Sequence, residues 1–229
     1  MVPVVHRRLP ALSAHVFVDN LDAPELNPDD AHHLDRVLRL RDGEQFSSGD
    51  GAGRWRVCAL QAGHVETLGD VESVSPPAPV ITVAFALTKS DKPELTVQKL
   101  TELGVDRIVP IAAARSIVRW DDAKSARNVE RWRAVARAAA MQSRRAWLPR
   151  VDDIGVLSEL SPAFALAHPD GAPLTLATPA VAIGPEGGWD DDELAAAATL
   201  VDLGPTTLRA ETAALAVGAR LTALRDACD

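Results

Sequence analysis

The run Gly184-Pro185-Glu186-Gly187-Gly188 has the composition of a loop that meets a ligand through its backbone. Glycines lack Cβ, so the chain can turn sharply and come close to a bound molecule, and proline fixes φ and stiffens the turn. The apolar run Val181-Ala182-Ile183 precedes it and the acidic stretch Asp190-Asp191-Asp192-Glu193 follows it. Strand, glycine turn and helix in that order suit a cofactor loop. The loop has no Lys-Ser/Thr ending and is not a G-x-G-x-x-G fingerprint, so phosphate cradling is not the expected chemistry. Taken alone, it fits a purely structural turn equally well. The acidic stretch is expected to cap a helix rather than bind a metal, because carboxylates are favoured at helix N-termini. No metal site is expected elsewhere.

The elements that must position this loop fall into two patterns. Over residues 1–75, short strands are expected at Ala14–Val18, Glu44–Ser47, Arg54–Leu60 and Val65–Val74, with a short helix over Asp29–Leu40. This reads as a small β-rich barrel, and Pro76-Pro77-Ala78-Pro79 marks its end. Over residues 80–229, strands at Val80–Leu87, Arg107–Ile111, Ala163–Ala167, Val181–Ile183 and Val201–Leu203 alternate with helices. The first helix starts from a cap at Ser90 or Asp91 and stops before Gly104; the others cover Ser125–Trp147, Glu193–Leu200 and Glu211–Ala227. Alternation of this kind implies an α/β domain with a mostly parallel sheet covered on both faces.

The chain has 229 residues, room for one large domain or a small one plus a medium one, and 47% are hydrophobic, enough for a proper core. No apolar run reaches the ~20 residues of a membrane span, and the first ten residues lack the apolar stretch of an export signal. Two cysteines far apart, Cys58 and Cys228, make neither a disulfide framework nor a zinc site and suit a reducing cytoplasm. Net charge is −8, yet segment 107–150 carries eleven Lys/Arg against three Asp/Glu, and segment 151–229 carries three against thirteen. A positive field confined to one segment of an acidic protein is a candidate RNA contact.

Most of that charge lies in the expected helix Ser125–Trp147. At about 100° per residue, Val129, Trp132, Val135, Ala136 and Ala139 share one arc, and Arg127, Arg131, Arg133, Arg137, Arg144 and Arg145 share the opposite one. Only Glu130 offers a nearby acidic partner in sequence, so the arc is expected to keep its charge and contact RNA, which arginine can grip at phosphates or bases. A solvated helix face is the plainer alternative.

Three motifs recur in a fixed order: Leu87-Thr88-Lys89-Ser90-Asp91 with Gln98–Val105, then Ile183–Gly188 followed by Glu193, then Leu203-Gly204 and Leu208-Arg209-Ala210-Glu211-Thr212-Ala213. Together they resemble the 16S ribosomal RNA uridine-N3 methyltransferases of the SPOUT class. The likeness extends through His32-His33-Leu34 and Val37–Gly43 and covers nearly the whole chain. It implies an N-terminal PUA-like, RNA-binding β-barrel and a C-terminal trefoil-knotted sheet. It also implies S-adenosylmethionine as cofactor, 16S RNA or the assembled small ribosomal subunit as substrate partner, and a homodimer formed through the knot. The chain departs from the family in having Met141-Gln142 where Glu-Gln is usual, and Thr206 where an arginine is usual.

The resemblance puts the cofactor among three loops, at Leu166 and His168, at Ile183, Gly184, Pro185, Gly187 and Gly188, and at Leu203, Gly204, Leu208, Thr212 and Ala213. Arg209 is the candidate for stabilising negative charge on the uracil oxygens, or else an ion-pair partner of Glu211 or a helix-start contact. Glu211 is the candidate acceptor for the N3 proton, or else a helix-start carboxylate. Thr212 either contacts the cofactor or caps the last helix. Arg36, Arg39, Arg131, Arg137, Arg144 and Arg145 are the expected RNA contacts. Two alternatives stay open: a SPOUT enzyme acting on another ribosomal or transfer RNA nucleotide, and a non-catalytic RNA-binding protein that keeps the fold.

Overall fold

The computed structural model of the chain describes residues 9–88, 92–160 and 164–228. The expected cap at Ser90 or Asp91, with Lys89 of the first motif, lies outside them, as does Ala163 at the start of an expected strand. The chain divides into two compact units, Met1–Pro76 with Ala140–Leu148, and Pro77–Ala139 with Pro149–Asp229.

In the first unit, β1 (His15–Phe17), β2 (Gln45–Gly49), β3 (Arg54–Gln61) and β4 (His64–Ser73) form a sheet in that order. β1 runs parallel to β2, and the other pairs are antiparallel. Val16, Phe46, Cys58 and Leu34 fill its core, and burial pushes the Cys58 thiol up. The expected helix Asp29–Leu40 is broken into α1 (Pro28–His32), capped by Asn27, and a π-helical turn His33–Val37. Arg39, at φ 53°, ends this stretch. Residues 140–148 belong here by packing: Trp147 Nε1 donates to Val74 O at 3.0 Å, and Met141 lies against the core. Gly53 is required at this junction, since its φ is +90° and a Cβ would meet the Trp147 ring at 2.5 Å.

The second unit is a six-stranded parallel sheet in the order β10-β8-β9-β5-β6-β7. Its strands are β5 (Thr82–Ala86), β6 (Arg107–Ile111), β7 (Arg150–Val151), β8 (Ala165–Pro173), β9 (Ala180–Ile183) and β10 (Thr199–Asp202). Alternate residues face opposite ways, as the period of a strand demands. Val83, Phe85, Val181 and Ile183 join one core with Val97, Leu100, Trp132, Val217 and Leu221 of the helices α2 (Lys92–Glu102), α3 (Asp122–Gln142) and α5 (Ala210–Asp226). Ala84, Ala86, Ala180 and Ala182 face a second, smaller core with Phe164, Leu166 and Trp189. Small residues on that face leave room for the aromatic rings. The Arg225–Asp106 ion pair, buried on both sides, ties the end of α5 to the turn before β6. Among the described residues no helix is long and apolar enough to cross a membrane.

Three boundaries differ from expectation. The long helix begins at Asp122 and ends at Gln142, not Trp147. Arg144 N bonds Met141 O, Arg145 N bonds Ala140 O, and Arg144 takes φ 56°. That is a Schellman-type stop with arginine where glycine is usual, so composition did not announce it. Arg144 and Arg145 therefore lie off the helix, and the basic arc loses them. The alanine-rich run expected to be helical through Leu200 gives only α4 (Asp191–Ala195); Thr199 and Leu200 pair with Ala165 and Leu166 instead. Sheet pairing overrides weak helix propensity here. Finally, β8 continues to Pro173 rather than ending at Ala167. Leu200 pairs Leu166 while Val201 pairs Ala172, so residues 167–171 bulge out of the ladder.

Candidate active site

Parallel strands bring their C-terminal ends to one edge of a sheet, where α/β proteins bind ligands. Four segments meet that edge: residues 112–119 after β6, the bulge 167–171 within β8, Gly184–Gly188 after β9, and residues 203–209 after β10. The strand order sets β8 between β9 and β10. At ~4.8 Å per strand spacing, the glycine loop and the 203–209 loop leave the sheet roughly 10 Å apart.

Trp189 organises the first pair of loops. Its indole is buried, Nε1 donates to Ala167 O at 3.1 Å, and a Cβ on Gly184 would meet the ring at 3.0 Å. Gly184 thus packs flat on the indole and needs to be glycine for that closeness. The bulge is fixed from its other end by Gly171, where a Cβ would come within 2.3 Å of the Val201 backbone. His168, half-buried in the bulge, accepts from Asp170 N at Nδ1. Leu166 is fully buried in the sheet, paired with Ala182 on one side and Leu200 on the other, just before the bulge.

The far side of the glycine loop is held by α4. Asp190 accepts from Glu193 N at 2.7 Å and Glu193 returns a carboxylate to Asp190 N at 3.0 Å, a complete capping box. The acidic run is therefore a helix start, as its position suggested. Glu193 does a second job, accepting from Ala114 N at 2.9 Å through its other oxygen. Arg115 answers from that segment, donating Nη1 to Gly187 O at 3.3 Å.

In the third loop, Gly204 has φ +113° and its N–H donates to Asp202, while Arg220 donates to Leu203 O. Arg209 is the N-cap of α5, exposed, with no side-chain capping bond and no ion pair among the described residues. Glu211 pairs with Lys92 at 3.2 Å rather than with Arg209. Burial pushes the Glu211 carboxyl up, but its own backbone N–H, the Lys92 ammonium and Arg209 outweigh that and hold it below the usual carboxylate range. Its Oε2 is buried without a hydrogen-bond partner among the described residues. Thr212, three positions past the N-cap and exposed, does not cap the helix. Ala213 is buried in the core, Leu208 partly so.

Gly188 (φ +72°) and Gly204 each have open space where a Cβ would project, and no cluster of metal-type ligands lies among the described residues.

A profile for an RNA methyltransferase domain matches residues 76–222, and one for an RNA methyltransferase PUA domain matches residues 26–65. Over 219 residues the chain is 40% identical to the ribosomal RNA small subunit methyltransferase E of Mycobacterium bovis, spanning 83% of each. The chain belongs to this methyltransferase family. A protein from Legionella pneumophila, solved in complex with the bound cofactor SAM, superposes at TM-score 0.78 with 27% identity, covering 91% of this chain and 96% of the other. The family's enzyme from Neisseria gonorrhoeae, bound to S-adenosyl methionine, gives 0.75 with 25% identity over 92% and 97%.

Within this family member, the basic arc is less free than the sequence suggested. Arg131 pairs with Glu94 at 2.6 Å, and Arg133 with both Glu130 at 2.6 Å and Asp153 at 3.0 Å. Glu130 is the local partner the sequence offered, but Glu94 and Asp153 come from segments distant in sequence, which is why a local count of acids missed them. Arg36 pairs with the adjacent Asp35 on the surface, and Arg39 is exposed. Arg144 donates to Leu12 O. Sequence reasoning overlooked Trp189, Lys92 and Arg115. Trp189 carried a signal: a large aromatic directly after a glycine loop, in a chain with 4% aromatics. Lys92 and Arg115 carried none, because their partners are set by the fold.

Proposed function

We propose that the protein transfers the methyl group of S-adenosylmethionine to N3 of a uridine in 16S ribosomal RNA, with the donor held among residues 167–171, 184–188 and 203–213. The reading is carried by one observation: the glycine loop, the β8 bulge and the start of α5 stand at one sheet edge in a member of this family. The trefoil knot and the homodimer belong to the same proposal. A monomeric mass in solution at micromolar concentration would contradict the dimer.

The donor supplies an electrophilic methyl on a sulfonium. The residues must hold the uracil in line with it and accommodate the loss of the N3 proton. As the N3–methyl bond forms and the methyl–sulfur bond breaks, the anionic base and cationic donor become neutral products, a change favoured away from water. Arg209 is exposed and makes no ion pair among the described residues, so it is available to the uracil oxygens, where charge gathers when N3 is deprotonated. Glu211, two residues from Arg209 at the start of α5, is the candidate hydrogen-bond acceptor for N3–H. Lys92 keeps this carboxylate charged, so it is a poor final owner of the proton, which passes to solvent.

A pH dependence follows. A carboxyl held below its ordinary value is ionised throughout the neutral range, and the stability from its pair with Lys92 is complete above the unfolded carboxylate range. That stability is lost as pH falls through the lowered value. Methyl transfer should therefore show no limb from Glu211 near neutrality and should rise with pH as N3 itself deprotonates. A single-turnover pH profile checks this; a bell centred near pH 6 would show a different proton acceptor. The reading as a whole is tested by transfer of label from methyl-tritiated S-adenosylmethionine to small-subunit RNA. Absence of transfer to both naked RNA and isolated small subunits would contradict it.

A further inference from the structure

Four arginines of the positive segment are paired with carboxylates. Arg107 is held by Asp152 at 2.6 Å, Arg150 by Asp152 at 2.6 Å, Arg131 by Glu94, and Arg133 by Glu130 and Asp153. Their charge is offset within the protein. Arg115 and Arg119, between β6 and α3, are exposed and have no carboxylate partner among the described residues. Each gives one guanidinium bond to a main-chain carbonyl: Arg115 Nη1 to Gly187 O at 3.3 Å, and Arg119 Nη2 to Ala114 O at 3.1 Å. A guanidinium has five N–H donors, so each keeps most of them, with its full charge.

These two cations are also held in place. Glu193 fixes Ala114 N, and Arg115 packs against Gly187, where a Cβ would lie 3.4 Å from its own. One bond thus joins this segment to the glycine loop and another joins it to α4, the helix that follows that loop. A fixed, unneutralised pair of guanidiniums beside a methyl-donor loop matches a polyanion whose base must reach that loop, and guanidinium is well shaped for phosphate.

We propose that Arg115 and Arg119 form a clamp for the RNA phosphodiester backbone next to the target nucleotide, and that Arg115 couples this clamp to the glycine loop. The proposal rests on the reading of the site as an RNA methyltransferase. Its test measures binding of in vitro transcribed small-subunit ribosomal RNA over a range of NaCl concentrations, for wild type, Arg119→Gln, Arg119→Lys and the double variant Arg115→Gln/Arg119→Gln. Calorimetric titration with S-adenosylmethionine runs in parallel.

Each lost phosphate contact should make the slope of log affinity against log salt shallower by about 0.7 on single-stranded RNA. The double variant should therefore lose roughly 1.4 from the slope and at least ~10-fold in RNA affinity at low salt. Arg119→Lys should recover most of the Arg119 share, and Arg119→Gln should bind the donor within about twofold of wild type, since this residue lies off the donor loops. An unchanged slope in the double variant overturns the clamp. So does weaker RNA binding at unchanged slope, which would mark a purely structural role. If wild type transfers no methyl yet shows the arginine-dependent slope, the enzymatic reading fails and the clamp stands.

Discussion

Replacing Arg209 by alanine should lower the turnover number by about 10²–10³-fold, the usual loss when one donor to a developing oxyanion is removed. S-adenosylmethionine affinity should fall only slightly. The separation follows from the structure: Arg209 is exposed, caps α5 through its backbone alone and has no ion-pair partner among the described residues. Its removal therefore disturbs no packing, and Glu211 keeps Lys92. Single-turnover rates and donor titration on one preparation check this. Near-normal turnover would remove Arg209 from the mechanism, whereas an equal loss of donor affinity would make it a binding residue.

Trp189→Ala should have the larger effect on the fold. A buried tryptophan truncated to alanine costs about 3–5 kcal/mol. Here the indole also supports two loops at once, through its bond to Ala167 O and its face against Gly184. Donor affinity should drop together with thermal stability, because the glycine loop and the β8 bulge lose their common wall. Trp189→Phe separates the two contributions. It keeps most of the packing and loses the N–H bond, about 1 kcal/mol, so it should regain most of the stability and part of the donor affinity. Denaturant unfolding and calorimetry measure both. Unchanged donor affinity in Trp189→Ala would mean that these loops do not hold the donor.

Strand and loop positions were readable where local chemistry decides them. Arg107–Ile111 is β6 residue for residue, and the apolar run Val181–Ile183 lies within β9. The capping box at Asp190 and Glu193 was readable because its partners are three residues apart. What stayed hidden was decided at a distance. Arg144 stops a helix in a left-handed conformation that its residue type does not advertise. Thr199 and Leu200 became strand because β8 was there to pair with. The basic arc looked unneutralised because Glu94 and Asp153 reach it only through the fold. The same holds at the site. Glycine content pointed to the loop, but the bond from Lys92 to Glu211 and the bond from Arg115 to Gly187 exist only once the parallel strands align their ends.

Nucleoside mass spectrometry of 16S ribosomal RNA, from cells with and without this protein, tests the central claim most directly. Loss of 3-methyluridine without the protein, and its return on complementation by wild type but not by Arg209→Ala, is the predicted result. Equal 3-methyluridine in both strains would contradict the account.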